Sequence, residues 1–120
     1  MKELPTEIKN FNNLWGLTLS GNNLEALPDE IGDLKNLSSL YLNDNQIKSL
    51  PKSMENLLRL STLSLENNKL NYLPYEMRKL AKSVSLKLKG NEIAEIGIEK
   101  ETLGKKELRE LFRYRVNFEN

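Results

Sequence analysis

The sequence predicts an α/β solenoid, a stack of 23-residue coils that each give one strand to a parallel sheet and one short helical segment to the opposite side. Three observations carry that expectation. A step of 23 residues aligns columns of leucine, asparagine and proline along most of the chain. Inside each unit a Leu-x-Leu pair alternates with period two, which is strand patterning. Each unit then has a proline followed by apolar residues three apart, a spacing that suits a short helical or 3-10 segment.

The columns are explicit. Leu14, Leu37 and Leu60 share one, and Leu17, Leu40, Leu63 and Leu86 share the next. Leu19, Leu42, Leu65 and Leu88 follow, then Asn22, Asn45, Asn68 and Asn91. Leu24, Ile47, Leu70 and Ile93 form another column, and Leu27, Leu50, Leu73 and Ile96 the one after it. Pro28, Pro51 and Pro74 open the helical half, with Ile31, Met54 and Met77 as core pegs three residues on. The leucines of Leu17-Thr18-Leu19 and its equivalents point to one side, into a continuous core. The chain must then bend sharply, and the asparagine column sits at that bend. A buried asparagine amide can serve backbone donors and acceptors of its own and the adjacent coil, groups the bend leaves unpaired.

Written out, the unit is L-x-x-L-x-L-x-x-N-x-L-x-x-L-P-x-x-I-x-x-L-x-x, and it resembles the leucine-rich-repeat superfamily in its short subclass with an L-P-x-x-I/M-x-x-L second half. That subclass includes Ras-binding leucine-rich scaffolds, plant intracellular relatives and many bacterial repeat proteins. The resemblance runs from about Leu4 to Leu103. It implies a right-handed leucine-rich-repeat solenoid with a parallel concave sheet and short helical or 3-10 convex segments. It carries no particular partner over to this chain.

The two ends depart from the repeat. Leu4-Pro5, Ile8 and Phe11 match the second half of a unit, so the chain opens in mid-repeat. Three explanations stand: a minimal cap, a piece of a longer protein, or an edge that pairs with a partner. At the other end Ser83 replaces the leading leucine, Gly97 the proline and Lys100 the peg, while Leu103 keeps the column of Leu80. Beyond Gly104, Leu108, Leu111 and Phe112 make one apolar stripe and predict an amphipathic capping helix. Val116 and Phe118 then alternate as a short extended piece packed inward. Lys105, Lys106, Arg109, Arg113 and Arg115, interleaved with Glu107 and Glu110, read as a solvated face. The expected organisation is one domain, a solenoid over 1–104 (a half repeat plus four repeats) and its cap over 105–120.

Composition narrows the chemistry. The 120 residues include 18 basic and 17 acidic ones, a formal net charge of +1, which gives no electrostatic reason for a nucleic-acid or membrane-surface partner. With no cysteine and no histidine, thiolate metal sites, cysteine nucleophiles and the usual neutral-pH general base are excluded. Asp29 and Glu30 are neighbours on a polar convex turn, and Gly21-Asn22-Asn23 and Gly90-Asn91-Glu92 belong to the repeat bend, not to a phosphate loop. Asn36-Leu37-Ser38 fits the glycosylation pattern only by accident of the repeat. The expectation is no cofactor, no metal and no enzyme; the ligase domains of some bacterial leucine-rich-repeat proteins use a cysteine absent from this chain. The opening residues lack an apolar leader core, so a cytoplasmic protein is expected unless a signal has been removed upstream.

Function is therefore expected on the concave face, whose columns follow from alternation. They are Gly16, Ser39, Thr62 and Ser85, then Thr18, Tyr41, Ser64 and Lys87, then Ser20, Asn43, Glu66 and Lys89. Tyr41 is the central aromatic, an anchor or an ordinary strand residue. Lys87 and Lys89 make one half basic, and Glu66 with nearby Asp44 makes the middle acidic. Trp15 sits at the rim as a candidate partner contact, with packing on the N-terminal segment the favoured alternative. Four strands give a small surface, most of which an interface of about 800 Å² per side would occupy. The reading is a non-catalytic, monomeric protein-interaction module with a protein partner. The alternatives are a recognition or capping fragment of a larger signalling or effector protein, and self-association through the N-terminal edge.

Overall fold

Each coil begins as a strand because Leu-x-Leu buries one face and leaves the other free, and the computed structural model shows this over residues 2–80, 84–94, 101–112 and 116–118. Strands β1 (Gly16–Thr18), β2 (Ser39–Tyr41), β3 (Thr62–Ser64) and β5 (Ser85–Lys87) run parallel in one sheet. The register keeps the repeat, with Leu17, Leu40, Leu63 and Leu86 side by side. Ser83, Ile96, Gly97, Lys100, Arg113 and Arg115 lie outside the described residues.

The proline half of each coil is a 3-10 segment: Thr6–Asn10, Asp29–Asp33, Lys52–Asn56 and Tyr75–Lys79. Each is preceded by its proline, whose φ lies between −59° and −72°. In the first three the proline carbonyl accepts the N–H of the peg three residues later, Ile8, Ile31 or Met54. The peg carbonyl then accepts from Phe11, Leu34 or Leu57, and those carbonyls accept from Leu14, Leu37 and Leu60. A strict spacing of three places all these side chains on one edge, which is 3-10 and not α geometry. Ile31, Met54 and Met77 are fully buried by it. Gly32 is buried between neighbouring segments, where an added Cβ would stand 2.6 Å from the carbonyl oxygen of Ser53.

The asparagine column holds the bends. Asn45 Oδ1 accepts from the backbone N–H of Asn22 (2.8 Å) and Leu24 (3.0 Å) in the preceding coil. Its Nδ2 donates to the carbonyls of Leu19 (3.0 Å) in that coil and Leu42 (2.9 Å) in its own. Asn68 repeats this with Ile47 N–H and the carbonyls of Leu42 and Leu65, and Asn91 with Leu70 N–H and those of Leu65 and Leu88. Asn45 and Asn68 are buried. The residue before each asparagine, Gly21, Asp44, Asn67 or Gly90, has φ between +57° and +79°. That left-handed bend suits glycine and is tolerated by Asp and Asn.

The C-terminal end differs from a fifth copy of the repeat. Helix α1 (Lys105–Phe112) buries Leu108 and Phe112, and Glu107 accepts the backbone N–H of Gly104 (3.1 Å), half of a capping box. Beyond it β7 (Val116–Asn117) pairs parallel with β5, Val116 opposite Leu86. The concave sheet therefore has five strands among the described residues, in the order β1-β2-β3-β5-β7, and not the four counted from the repeat. The fifth was hidden because helix α1 lengthens its coil beyond 23 residues. Leu103, in the column of Leu80, is buried, but it lies in a strand: β6 (Thr102–Leu103) pairs antiparallel with β4 (Leu73–Pro74).

Replacing a ladder asparagine orphans several backbone groups at once. Asn68→Ala is expected to cost about 1–3 kcal/mol of unfolding free energy. Asn22→Ala should cost less, since among the described residues the Asn22 amide bonds only the carbonyls of its own coil, Leu19 and Ser20. Urea denaturation of the two variants checks the order.

Candidate interaction surface

Period-two alternation puts the intervening residues of each Leu-x-Leu on the concave face, and the strand register aligns them. Gly16, Ser39, Thr62 and Ser85 form the first row. Thr18, Tyr41, Ser64 and Lys87 form the second, which β7 lengthens by Asn117 beside Lys87. Thr18 and Lys87 are exposed, and Ser39, Tyr41 and Thr62 are half-buried. Ser64 is only 3% exposed, and its hydroxyl donates to Glu66 Oε1 at 3.3 Å. Ser64 thus orients Glu66 and offers little surface of its own, because Tyr41 and Lys87 stand on either side of it in the row.

A polar chain crosses three coils at the lip of this face. Ser20 Oγ donates to Asn43 Oδ1 at 2.7 Å, and Asn43 Nδ2 donates to Asp44 at 3.0 Å. Asn67 Nδ2 donates to the other oxygen of Asp44 at 2.9 Å. The amide of Asn67, and then that of Asn43, holds the Asp44 carboxyl below the usual carboxylate range. Asp44 thus stays anionic beside Glu66, while Lys87 and Lys89 stand on the C-terminal side. The two ion pairs found among the described residues, Lys2–Glu25 and Lys79–Glu55, both lie away from these groups.

Trp15 lies directly before the first concave row, and its carbonyl accepts the backbone N–H of Ser39 at 3.0 Å. Its side chain is 74% exposed and does not pack down on the N-terminal segment, contrary to the sequence expectation. With Phe11, 58% exposed, it lines an open hollow of about 560 Å³ bounded also by Asn10, Asn12, Asn13, Leu14 and Gly16. Phe11 was read as the third apolar position of a half repeat. Its counterparts Leu34 and Leu57 are fully buried, and the difference is the absence, among the described residues, of any coil outside it. The Gly21, Asp44, Asn67, Gly90 column was also legible at 23-residue spacing, but only its φ values show why those residue types recur.

Among the described residues no group of three or more Asp, Glu, His or Cys could hold a metal ion, and no helix is long and apolar enough to cross a membrane. The lining of the surface is hydroxyl, amide, carboxylate and ammonium groups on rigid strands, suited to binding a polar partner surface.

These coils, stacked with buried asparagines at their bends, define a leucine-rich-repeat solenoid. A family model of the leucine-rich repeat region matches residues 2–119, and the chain belongs to that family. It is also similar to a solved leucine-rich-repeat protein from Leptospira interrogans, with 38% identity over 98% of this chain and a TM-score of 0.84. The match spans 28% of the length of that protein. No curated protein matches the chain. Membership of the family suggests a protein–protein interaction module, and such proteins are typically non-enzymatic scaffolds.

Asp44 supplies a pH test. A carboxyl depressed in the folded state adds stability above its unfolded pKa, and that stability is lost as pH falls through the folded value. Asp44→Asn tolerates the left-handed bend but does not titrate. The stability gap between wild type and Asp44→Asn should therefore be widest near neutral pH and narrow as pH falls toward about 2. Urea midpoints measured across that range would show it.

Proposed function

We propose that the chain is a non-catalytic protein-interaction module whose partner docks on the concave face around Tyr41, Glu66 and Lys87. The observation that carries this is the division of labour along each strand. Leu17, Leu40, Leu63 and Leu86 line the core side, so the residues alternating with them, the buried Ser64 aside, are free of core packing. Those free residues are polar around one central tyrosine, with acidic groups in the middle and lysines toward the C-terminal end. A partner surface with the opposite order of charge would be oriented by them, since complementary charge fixes register and speeds association. Tyr41 supplies contact area at low entropic cost.

The test begins with capture of a partner by the immobilised chain and its identification by mass spectrometry. Tyr41→Ala and Lys87→Glu are each expected to weaken that complex at least about tenfold, roughly 1.4 kcal/mol. Unchanged affinity in both variants would remove the concave face from consideration.

A second reading is favoured by the extent of the structural match. Because this chain spans only 28% of the similar Leptospira protein, it also fits a recognition or capping segment of a larger signalling or effector protein whose activity lies elsewhere. The reading frame decides this: an in-frame extension on either side is expected, and stop codons directly flanking both ends of the coding segment would dismiss it.

A further inference from the structure

Each coil also has a flank, the stretch between the end of its 3-10 segment and its strand. In the coils of β2 and β3, which have a neighbour on either side, the flank consists of Lys35, Asn36 and Ser38, then Leu58, Arg59 and Ser61. A second hydrogen-bond ladder fixes it. Asn36 Nδ2 donates to the Asn12 carbonyl in the coil before (3.0 Å), and Arg59 Nη1 donates to Asn36 Oδ1 from the coil after (2.9 Å). The hydroxyls of Ser38 and Ser61 lie 3.1 Å apart beside it.

Stacking requires neither the apolar side chains nor the charge found on this flank. Leu58 is 65% exposed at a position that Lys35 holds one coil earlier, while Leu57 and Leu60 do the packing. Trp15 belongs to the column of Ser38 and Ser61. Ser61 is exposed although coils cover it on both sides, so the exposure of Trp15 is a property of its column. The charge is one-sided. Lys9, Lys35 and Arg59 are exposed and belong to neither ion pair found among the described residues. The acidic Glu7, Asp29 and Glu30 are set apart from them, in the first turns of the 3-10 segments. Lys9 and Lys35 line one open hollow of about 560 Å³ between the first two coils, with Asn12, Asn13, Asn36 and Asp33.

We propose that this flank docks an acidic segment of a separate polypeptide, with one carboxylate over Lys9 and Lys35, another on Arg59, and apolar side chains against Leu58 and Trp15. A guanidinium already aligned by Asn36 loses less freedom when it takes a carboxylate. Leu58 and Trp15 are two coils apart, about 10 Å along the stack, which two side chains three residues apart span in an extended peptide. A nucleic acid fits less well: its continuous phosphate chain would meet Asp33 in the hollow, and Leu58 offers no face for a base to stack on. The flank is a different side of the coil from Tyr41, Glu66 and Lys87, and its occupant does not depend on a partner there.

The test titrates the full chain at low salt with the synthetic peptide Glu-Leu-Glu-Glu-Leu-Glu, blocked at both ends, and follows the fluorescence of Trp15, the single tryptophan. A saturable blue shift is expected, and added salt should weaken it. Lys35→Glu and Leu58→Ser, both at exposed positions, should each weaken binding at least about tenfold, with circular dichroism showing that the variants are folded. Tyr41→Ala should leave binding unchanged. The proposal is overturned by the absence of a shift, by an equal shift with Lys-Leu-Lys-Lys-Leu-Lys or Glu-Ser-Glu-Glu-Ser-Glu, or by tighter binding of a short oligothymidylate. A loss on Tyr41→Ala in place of Lys35→Glu would overturn it too, by moving the peptide to the concave face.

Discussion

Each coil of this protein makes a bend it cannot satisfy alone. Three residues after each repeat strand comes a residue with positive φ, and the peptide groups around that corner that bond Asn45 and Asn68 are buried. An unpaired buried peptide group costs about 1–3 kcal/mol, so the bend forms only if something answers it. What answers is the asparagine of the same coil and of the next. Asn45 joins Leu19 and Leu24 behind it to Leu42 in its own coil, and Asn68 does the same one coil on. Stacking is thus a hydrogen-bond requirement as well as a hydrophobic one.

That requirement explains the rest of the unit. Once the bends are locked in register, Leu40, Leu63 and Leu86 must meet in one layer, and their full burial follows. The return path must be short and rigid, which a proline followed by one 3-10 turn provides. Close approach between returns leaves no room for a side chain at Gly32, and at Gly90 a Cβ would run into the side chain of Asn67. The same closeness aligns Asn43, Asp44 and Asn67, so the polar chain at the concave lip is a by-product of the ladder beneath it.

Most of this was legible in the sequence because it repeats. Leucine, asparagine and proline columns at 23-residue spacing specify the strands, the bends and the 3-10 pegs, and alternation names the concave rows. What escaped is what happens once. The extended piece at Val116 was expected, but not its place as a fifth strand, because β7 arrives only after helix α1 and so falls out of step with the repeat. The β4–β6 ladder joins Leu73 to Leu103 in antiparallel sense, a pairing no column can express. Ser64 matches its row in the sequence, yet bulky neighbours on both sides remove it from the surface. Trp15 was assigned a packing partner because tryptophan usually has one, and here the surface that would cover it is missing among the described residues.

Repetition also limits what the fold can say about function. Residues that hold one coil to the next are alike in every coil and hold no information about a partner. Specificity must reside where the columns differ. On the concave face the second row changes from Thr18 to Tyr41, Ser64 and Lys87, and the third from Ser20 to Asn43, Glu66 and Lys89. The third row runs from neutral through acidic to basic along the stack and the second from neutral to basic, so the face has a direction that the core beneath it lacks.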